Sequence, residues 1–293
     1  MLSTYCDLLG FPKAATEQLT AVYRDLSARF DLPARFLAIR SLFLQAKGSE
    51  YLEMLQTLAE ESGADRRTLD MLFLLWCAPA LREAYEKRGI SDTVFVDTLT
   101  DLRYKLLECY ANYGVWGTFV TFWYRGFYRC ERFALGRLQF ERRHFKHPAY
   151  GHLLREGDAV LGCHIPSSGP LDPKAVINSL RQAYHFYQDV RRDGVLPVTC
   201  HSWLLYPPHR VLFGENTKAF YDLFDIVSQD ASTDNADYWR IFNTPFSAQA
   251  LAHAPEDTAM RRRFKQFLLA GNMMGSGYGL LLFDGERVLT RKE

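Results

Sequence analysis

The chain has 293 residues, 48% of them hydrophobic and 14% aromatic, and a formal net charge of +1. That composition supplies a sizeable core and excludes large-scale disorder. The charges are evenly mixed, with 16 basic and 17 acidic residues up to Phe133 and 19 and 17 after it, which excludes a basic nucleic-acid-binding module.

The first 133 residues read as helices. Leu19, Val22, Tyr23 and Leu26 share one helical face. Pro33 stands near the start of a helix over 32–45. Tyr51, Leu52, Leu55 and Leu58 continue the period up to Gly63. Asp65 suits the cap of a long apolar helix through Tyr85, which Pro79 is expected to kink. Ser91 or Asp92 opens the next helix, through about Tyr113, and the aromatic-rich segment 118–133 is expected to be helical too. The longest apolar stretch, 71–81, is too short to span a bilayer, so no membrane partner is expected. The N-terminus lacks the basic region of a secretory signal. Six scattered cysteines without a C-x-x-C pair read as free thiols in a reducing, cytoplasmic setting.

The texture changes near Ala134. Residues 135–143 alternate like a single strand, with Leu138 and Phe140 on one face and Glu141 near its end. The most informative stretch is 158–188. It opens with an apolar strand over 159–165. A break at Pro166-Ser167-Ser168-Gly169-Pro170 follows, then a helix with Asp172 at the N-cap and Pro173 at the first position. A strand, a small-residue loop and a helix start can together hold an anion. Residues 197–205 read as another buried strand, 216–223 as a short helix and 225–228 as a strand. A helix over about 257–270 and a strand over 278–283 complete the pattern. The expected organisation is an all-helical domain over 1–133 and an α/β domain over 134–293.

Five phrases follow one another in order: GRLQFE at 136–141, GDAVLGCHIPSSGPL at 157–171, INSLRQA at 177–183, CHSWLL at 200–205 and ENTKAFYDLFDI at 215–226. In them the chain resembles, over nearly its whole length, an acyltransferase family. That family joins a helical N-terminal domain to a GNAT-like C-terminal domain, the mixed α+β fold of many N-acetyltransferases. The resemblance implies acyl-CoA as cosubstrate and direct transfer of the acyl group to an amine acceptor, a small molecule or a peptide. It implies that strand 159–165 and strand 198–205 splay apart around the thioester. Ile165, Ser167, Ser168, Gly169 and Leu171 would then cradle the cofactor, with Lys174 one turn inside the helix. Two features depart from the family's usual loop. Only Gly169 remains of its spaced glycines, with Pro170 removing a donor, and an Asp172 cap would occupy the helix-start amides. On the rival reading the loop is vestigial and the protein is a non-catalytic, GNAT-like binding or scaffold protein.

His164, beside the expected splay, is a candidate general base; the plainer reading is a buried histidine bonded to backbone. Glu141 is a second candidate base, inert if it is exposed at a strand end. Ser202 is a candidate donor to the thioester oxygen. Tyr221 stands, by order along the chain alone, where GNAT enzymes often keep a tyrosine acid. Trp203 reads as an acceptor-pocket wall or as packing, and Trp116 and Trp123, in the aromatic run 113–128, as core or as the roof of that pocket. The twin dipeptides Cys163-His164 and Cys200-His201 invite a zinc site. Consecutive strand residues face opposite sides, however, so only one side chain of each dipeptide can converge, and no metal is expected.

Overall fold

The computed structural model describes residues 2–45 and 47–290. The chain divides into two compact units, Met1–Phe133 and Ala134–Glu293.

The first unit is built of helices α1 (Leu2–Leu8), α2 (Lys13–Arg29), α3 (Leu32–Phe43), α4 (Glu50–Ser62), α5 (Arg66–Lys87), α6 (Asp92–Leu99) and α7 (Asp101–Tyr113). Helix α5 buries Leu69, Leu72, Phe73, Leu75 and Leu81, which lie on all its sides, so it forms the centre of this unit. The Asp65 carboxylate caps it, accepting from Arg67 N at 2.8 Å. Two further carboxylates are buried. Asp70 accepts from Arg66 at 2.5 Å and from Thr121 at 2.7 Å, and Asp101 accepts from the Tyr124 hydroxyl at 3.0 Å. Burial pushes the Asp70 carboxyl up to about 6 in spite of Arg66.

Three helix expectations change. Helix α3 stops at Phe43, short of residue 45. Residues 92–113 are two helices, broken where the Thr100 hydroxyl donates back to the Val96 carbonyl at 2.8 Å. Residues 118–133 are not one helix. They form a 3₁₀ turn (Thr121–Tyr124) and the one-turn α8 (Arg125–Tyr128), then reverse at Cys130, whose φ is +56°. Aromatic and β-branched side chains lose rotamer freedom in a helix, so this run holds its turns weakly.

The strands are β1 (Arg132–Leu135), β2 (Leu138–His144), β3 (Ala149–Tyr150), β4 (Leu154–Arg155) and β5 (Ala159–His164). Helix α9 (Pro173–Phe186) crosses over to β6 (Leu196–Ser202). Then come α10 (Glu215–Tyr221), β7 (Asp225–Ala231), α11 (Trp239–Phe242), α12 (Ala248–Ala252), α13 (Ala259–Leu269) and β8 (Gly275–Phe283). Six strands form a mixed sheet in the order β1-β2-β5-β6-β8-β7, and β3 pairs with β4 apart from it. On one sheet face Val160, Leu280 and Leu282 pack with Phe145 and Leu154. Helix α9 is stitched to β1 and β2 by buried Ser179, whose Oγ accepts from Leu138 N at 2.9 Å and donates to the Leu135 carbonyl. Tyr187 Oη adds a bond to the Phe140 carbonyl at 2.8 Å.

Two corrections matter for the site. The expected strand over 135–143 is a hairpin, split at Gly136 (φ +70°) and Arg137. Glu141 therefore lies inside β2, 7% exposed, and not at an exposed strand end. Strand β6 ends at Ser202. Trp203–Leu205 is a 3₁₀ turn, because Ser202 Oγ accepts from Leu204 N at 3.2 Å and caps it.

Candidate functional site

Strands β5 and β6 run parallel but pair only at Leu161 with Val198 and Gly162 with Thr199. Further on, Cys163 and His164 pair outward with Phe140 and Gln139 of β2. Cys200, His201 and Ser202 pair outward with Gly279, Tyr278 and Gly277 of β8. The two strands part toward their C-terminal ends and leave a fork in the sheet.

The register sets which side chains meet at that fork. Glu141 stands opposite Gly162 and Gln139 opposite His164, so Glu141 and His164 are diagonal neighbours on one face. His164 Nε2 lies 2.6 Å from Glu141 Oε1. Arg143 reaches the same oxygen from Nε at 2.8 Å and from Nη2 at 2.5 Å. Gly162 makes room for this cluster, since a Cβ there would meet Arg143 Cγ at 2.7 Å. A buried carboxylate needs such partners to offset its lost hydration. With the imidazole proton on Nε2 shared with Glu141, the ring's lone pair is on Nδ1. Two separate candidates of the sequence thus form one unit. His201, on the other prong, faces the same side of the sheet, its Nε2 3.0 Å from Ser276 Oγ.

The loop after β5 is shaped by Arg137, which the sequence did not single out. Its guanidinium donates to the carbonyls of Pro166 (3.0 Å), Gly169 (2.6 Å) and Pro170 (3.0 Å). In a trans peptide the N–H points opposite to the C=O. The amides of Ser167 and Leu171 are therefore turned away from Arg137, while Pro170 offers none. Among the described residues no group hydrogen-bonds the buried Ser168 Oγ, an orphan that native structures rarely leave. Gly169 sits at φ +105° with open space where a Cβ would be. Asp172 Oδ1 accepts from Ala175 N at 2.9 Å, so the start of α9 is already capped. Lys174 is exposed just beyond, and Ile165 is half-buried at the loop's entry. Outward amides, an orphaned hydroxyl and a nearby lysine fit an anionic group held upstream of α9.

The remaining candidates are placed as follows. Ser202 Oγ caps the turn that follows β6 and keeps its own proton to donate. Trp203 packs edge-on against Phe213 at 5.8 Å and Phe264 at 5.7 Å, and its carbonyl accepts from buried His209 at 2.8 Å. Its surroundings are those of a core residue. Tyr221, 5% exposed, lies under Arg210 at 5.8 Å. In the first unit, Trp116 stacks on Tyr110 with centroids 3.8 Å apart, and Arg132 lies 3.7 Å over the Trp123 ring. The Cys163 thiol is pushed well above its ordinary range, first by its hydrogen bond with Cys200 and then by burial. A thiol kept protonated is a poor nucleophile. Among the described residues no group of three or more His, Cys, Asp or Glu is placed to hold a metal ion, and no helix is long and apolar enough to cross a membrane.

Residues 1–130 match the N-acyltransferase N-terminal domain, and residues 133–281 match the GNAT-like C-terminal domain. No curated protein matches the sequence. Crystal structures share the fold. One is an acyltransferase in complex with decanoyl-CoA and teicoplanin, with a TM-score of 0.74 at 24% identity, covering 94% of this chain and 85% of that one. A mutant acyltransferase in complex with octanoyl-CoA gives a TM-score of 0.73 at 24% identity over the same shares. An acyltransferase in complex with CoA and 10C-teicoplanin gives 0.64 at 23% identity, covering 95% of this chain and 98% of that one.

Proposed function

The chain belongs to the family that joins an N-acyltransferase N-terminal domain to a GNAT-like C-terminal domain, and from that premise we propose that it transfers an acyl group from acyl-CoA to an amine on a small-molecule acceptor, by direct attack and without a covalent enzyme intermediate. The observation that carries the reading is the Glu141–His164 pair at the fork of β5 and β6. His164, oriented by Glu141, takes the proton of the attacking amine at Nδ1, and the carboxylate steadies the imidazolium that results. Bound acyl-CoA supplies the activated carbonyl and a thiolate leaving group. The amides of Ser167 and Leu171 and the Ser168 hydroxyl hold its diphosphate, and Lys174 adds a positive charge. Ile165 and the inner edges of the fork offer main-chain groups to the pantetheine amides. Ser202, at the tip of β6, donates toward the thioester oxygen. Tyr221 and Trp203 serve packing on this reading.

The crystallised neighbours hold decanoyl-CoA, octanoyl-CoA or CoA, and two of them also hold teicoplanin or 10C-teicoplanin. These support a medium-chain acyl donor and a small-molecule amine as the first pair to assay. Six unbridged cysteines support a reducing, cytoplasmic setting. The test is thermal stability with octanoyl-CoA, CoA and dephospho-CoA, followed by thiol release with an amine present. Saturable stabilisation by CoA and amine-dependent thiol release are expected. No stabilisation at millimolar ligand overturns the proposal.

A further inference from the structure

A cavity of about 370 Å³ opens within the helical unit. Its floor is one stripe of α5, where Cys77, Ala80, Leu81 and Ala84 follow at helical spacing. The two alanines are why space remains there. Tyr128 forms part of the wall and is fixed by its hydroxyl, which donates to the Leu74 carbonyl at 2.5 Å. The rim is cationic, with Arg40 of α3, Arg88 just past α5, and Arg129. Arg129 is neutralised by Glu131 at 2.6 Å. Among the described residues no carboxylate forms an ion pair with the other two. Arg88 donates to the Arg129 carbonyl at 3.2 Å and faces the Cys130 thiol. Among the described residues no hydrogen bond or ion pair engages the half-buried Arg40 guanidinium. Cys130 itself is held at φ +56°, a conformation a non-glycine residue adopts at a cost. It turns the chain so that Arg129 and Glu131 reach the rim.

We propose that this cavity binds a compact monocarboxylate with an apolar body, its carboxylate between Arg40 and Arg88 and its hydrocarbon along Ala80 and Ala84. Two unneutralised guanidiniums call for an anion, and a planar carboxylate matches their fork. The alanine floor calls for a hydrocarbon, which an inorganic anion lacks. The volume lies within the range of small-molecule sites. The site uses no residue of β5, β6 or the loop after β5, so it stands whether or not acyl transfer holds.

The test is calorimetric titration of the full chain with octanoate, octylammonium and sulfate, repeated on Arg40→Gln. Arg40 is a partly exposed surface position, and an unchanged melting temperature of the variant verifies its fold. Octanoate is expected to bind saturably and to protect Cys130 from alkylation, with octylammonium silent and with sulfate, an anion that the loop after β5 also suits, leaving Cys130 unprotected. Arg40→Gln should weaken octanoate about tenfold, as loss of one charge-assisted contact implies. Absence of saturable octanoate binding up to about 10 mM overturns the proposal. So does equal affinity in Arg40→Gln, which would put the ligand elsewhere, or protection of Cys130 by sulfate as well as by octanoate.

Discussion

Replacing Glu141 by Gln keeps the shape of the side chain at the fork and removes its charge. The carboxylate takes a 2.6 Å contact from His164 and contacts of 2.8 and 2.5 Å from Arg143. Arg143 is 48% exposed in its side chain, so its guanidinium turns to water at little cost. Removing a buried charge also lifts a desolvation penalty, and the fold should lose no more than about 1 kcal/mol. The catalytic loss is larger. One charge-assisted hydrogen bond to the imidazolium, made fully only in the transition state, is worth about 1.5–3 kcal/mol. At about 1.4 kcal/mol per decade this corresponds to a roughly 10- to 100-fold fall in kcat. The KM for acyl-CoA should stay within about twofold, because the loop after β5 is untouched. The assay is steady-state thiol release with octanoyl-CoA and an amine, with melting temperature as control. A kcat within about twofold of wild type would refute the assignment, as would a raised KM at unchanged kcat.

Four other outcomes are expected. Arg137→Gln should release the three carbonyls of the loop and weaken CoA binding about tenfold, measured by calorimetry, while kcat at saturation changes less. Gly169→Glu places a carboxylate beside the cradle at a φ of +105° that strains any side chain, so it should abolish CoA binding and lower stability by about 1–3 kcal/mol while the chain stays folded; surviving affinity would displace the diphosphate from this loop. Burial holds His209 neutral and pushes its pKa down to about 4. The unfolded chain therefore binds a proton between about pH 6.5 and 4 that the fold does not, and stability is full above pH 6.5 and falls by about 3 kcal/mol toward pH 4. His209→Phe should flatten that slope in pH-dependent denaturant melts, and an unchanged slope would count against it. Asp70 has the opposite sign. With its carboxyl raised to about 6, the fold holds a proton longer than the unfolded chain, so stability is lost as pH rises through 4 to 6 and Asp70→Asn should lose less.

The second unit's outline was legible because its local signals were strong. Asp172 and Pro173 mark the start of α9, and the apolar run before them forms β5, one residue shorter than expected. What was not legible depends on register and on turns. Glu141 and His164 are 23 residues apart, and only the pairing of β2 with β5 brings them to 2.6 Å. Arg137 was hidden because alternation over 135–143 looks the same whether the chain runs straight or folds into a hairpin. The lone Gly136 inside that pattern was the available warning. Ser202 read as a strand residue, although a serine before apolar residues is also a cap. The first unit reads as helical almost throughout, yet residues 118–133 break up, since aromatic periodicity does not secure a helix.

The most direct measurement is a crystal structure of the chain with CoA. The account predicts the diphosphate on the amides of Ser167 and Leu171 and the Ser168 hydroxyl. It also predicts the sulfur in the gap between β5 and β6, within reach of His164 and Ser202. A gap filled by the protein's own side chains, or CoA bound away from the loop after β5, would contradict it.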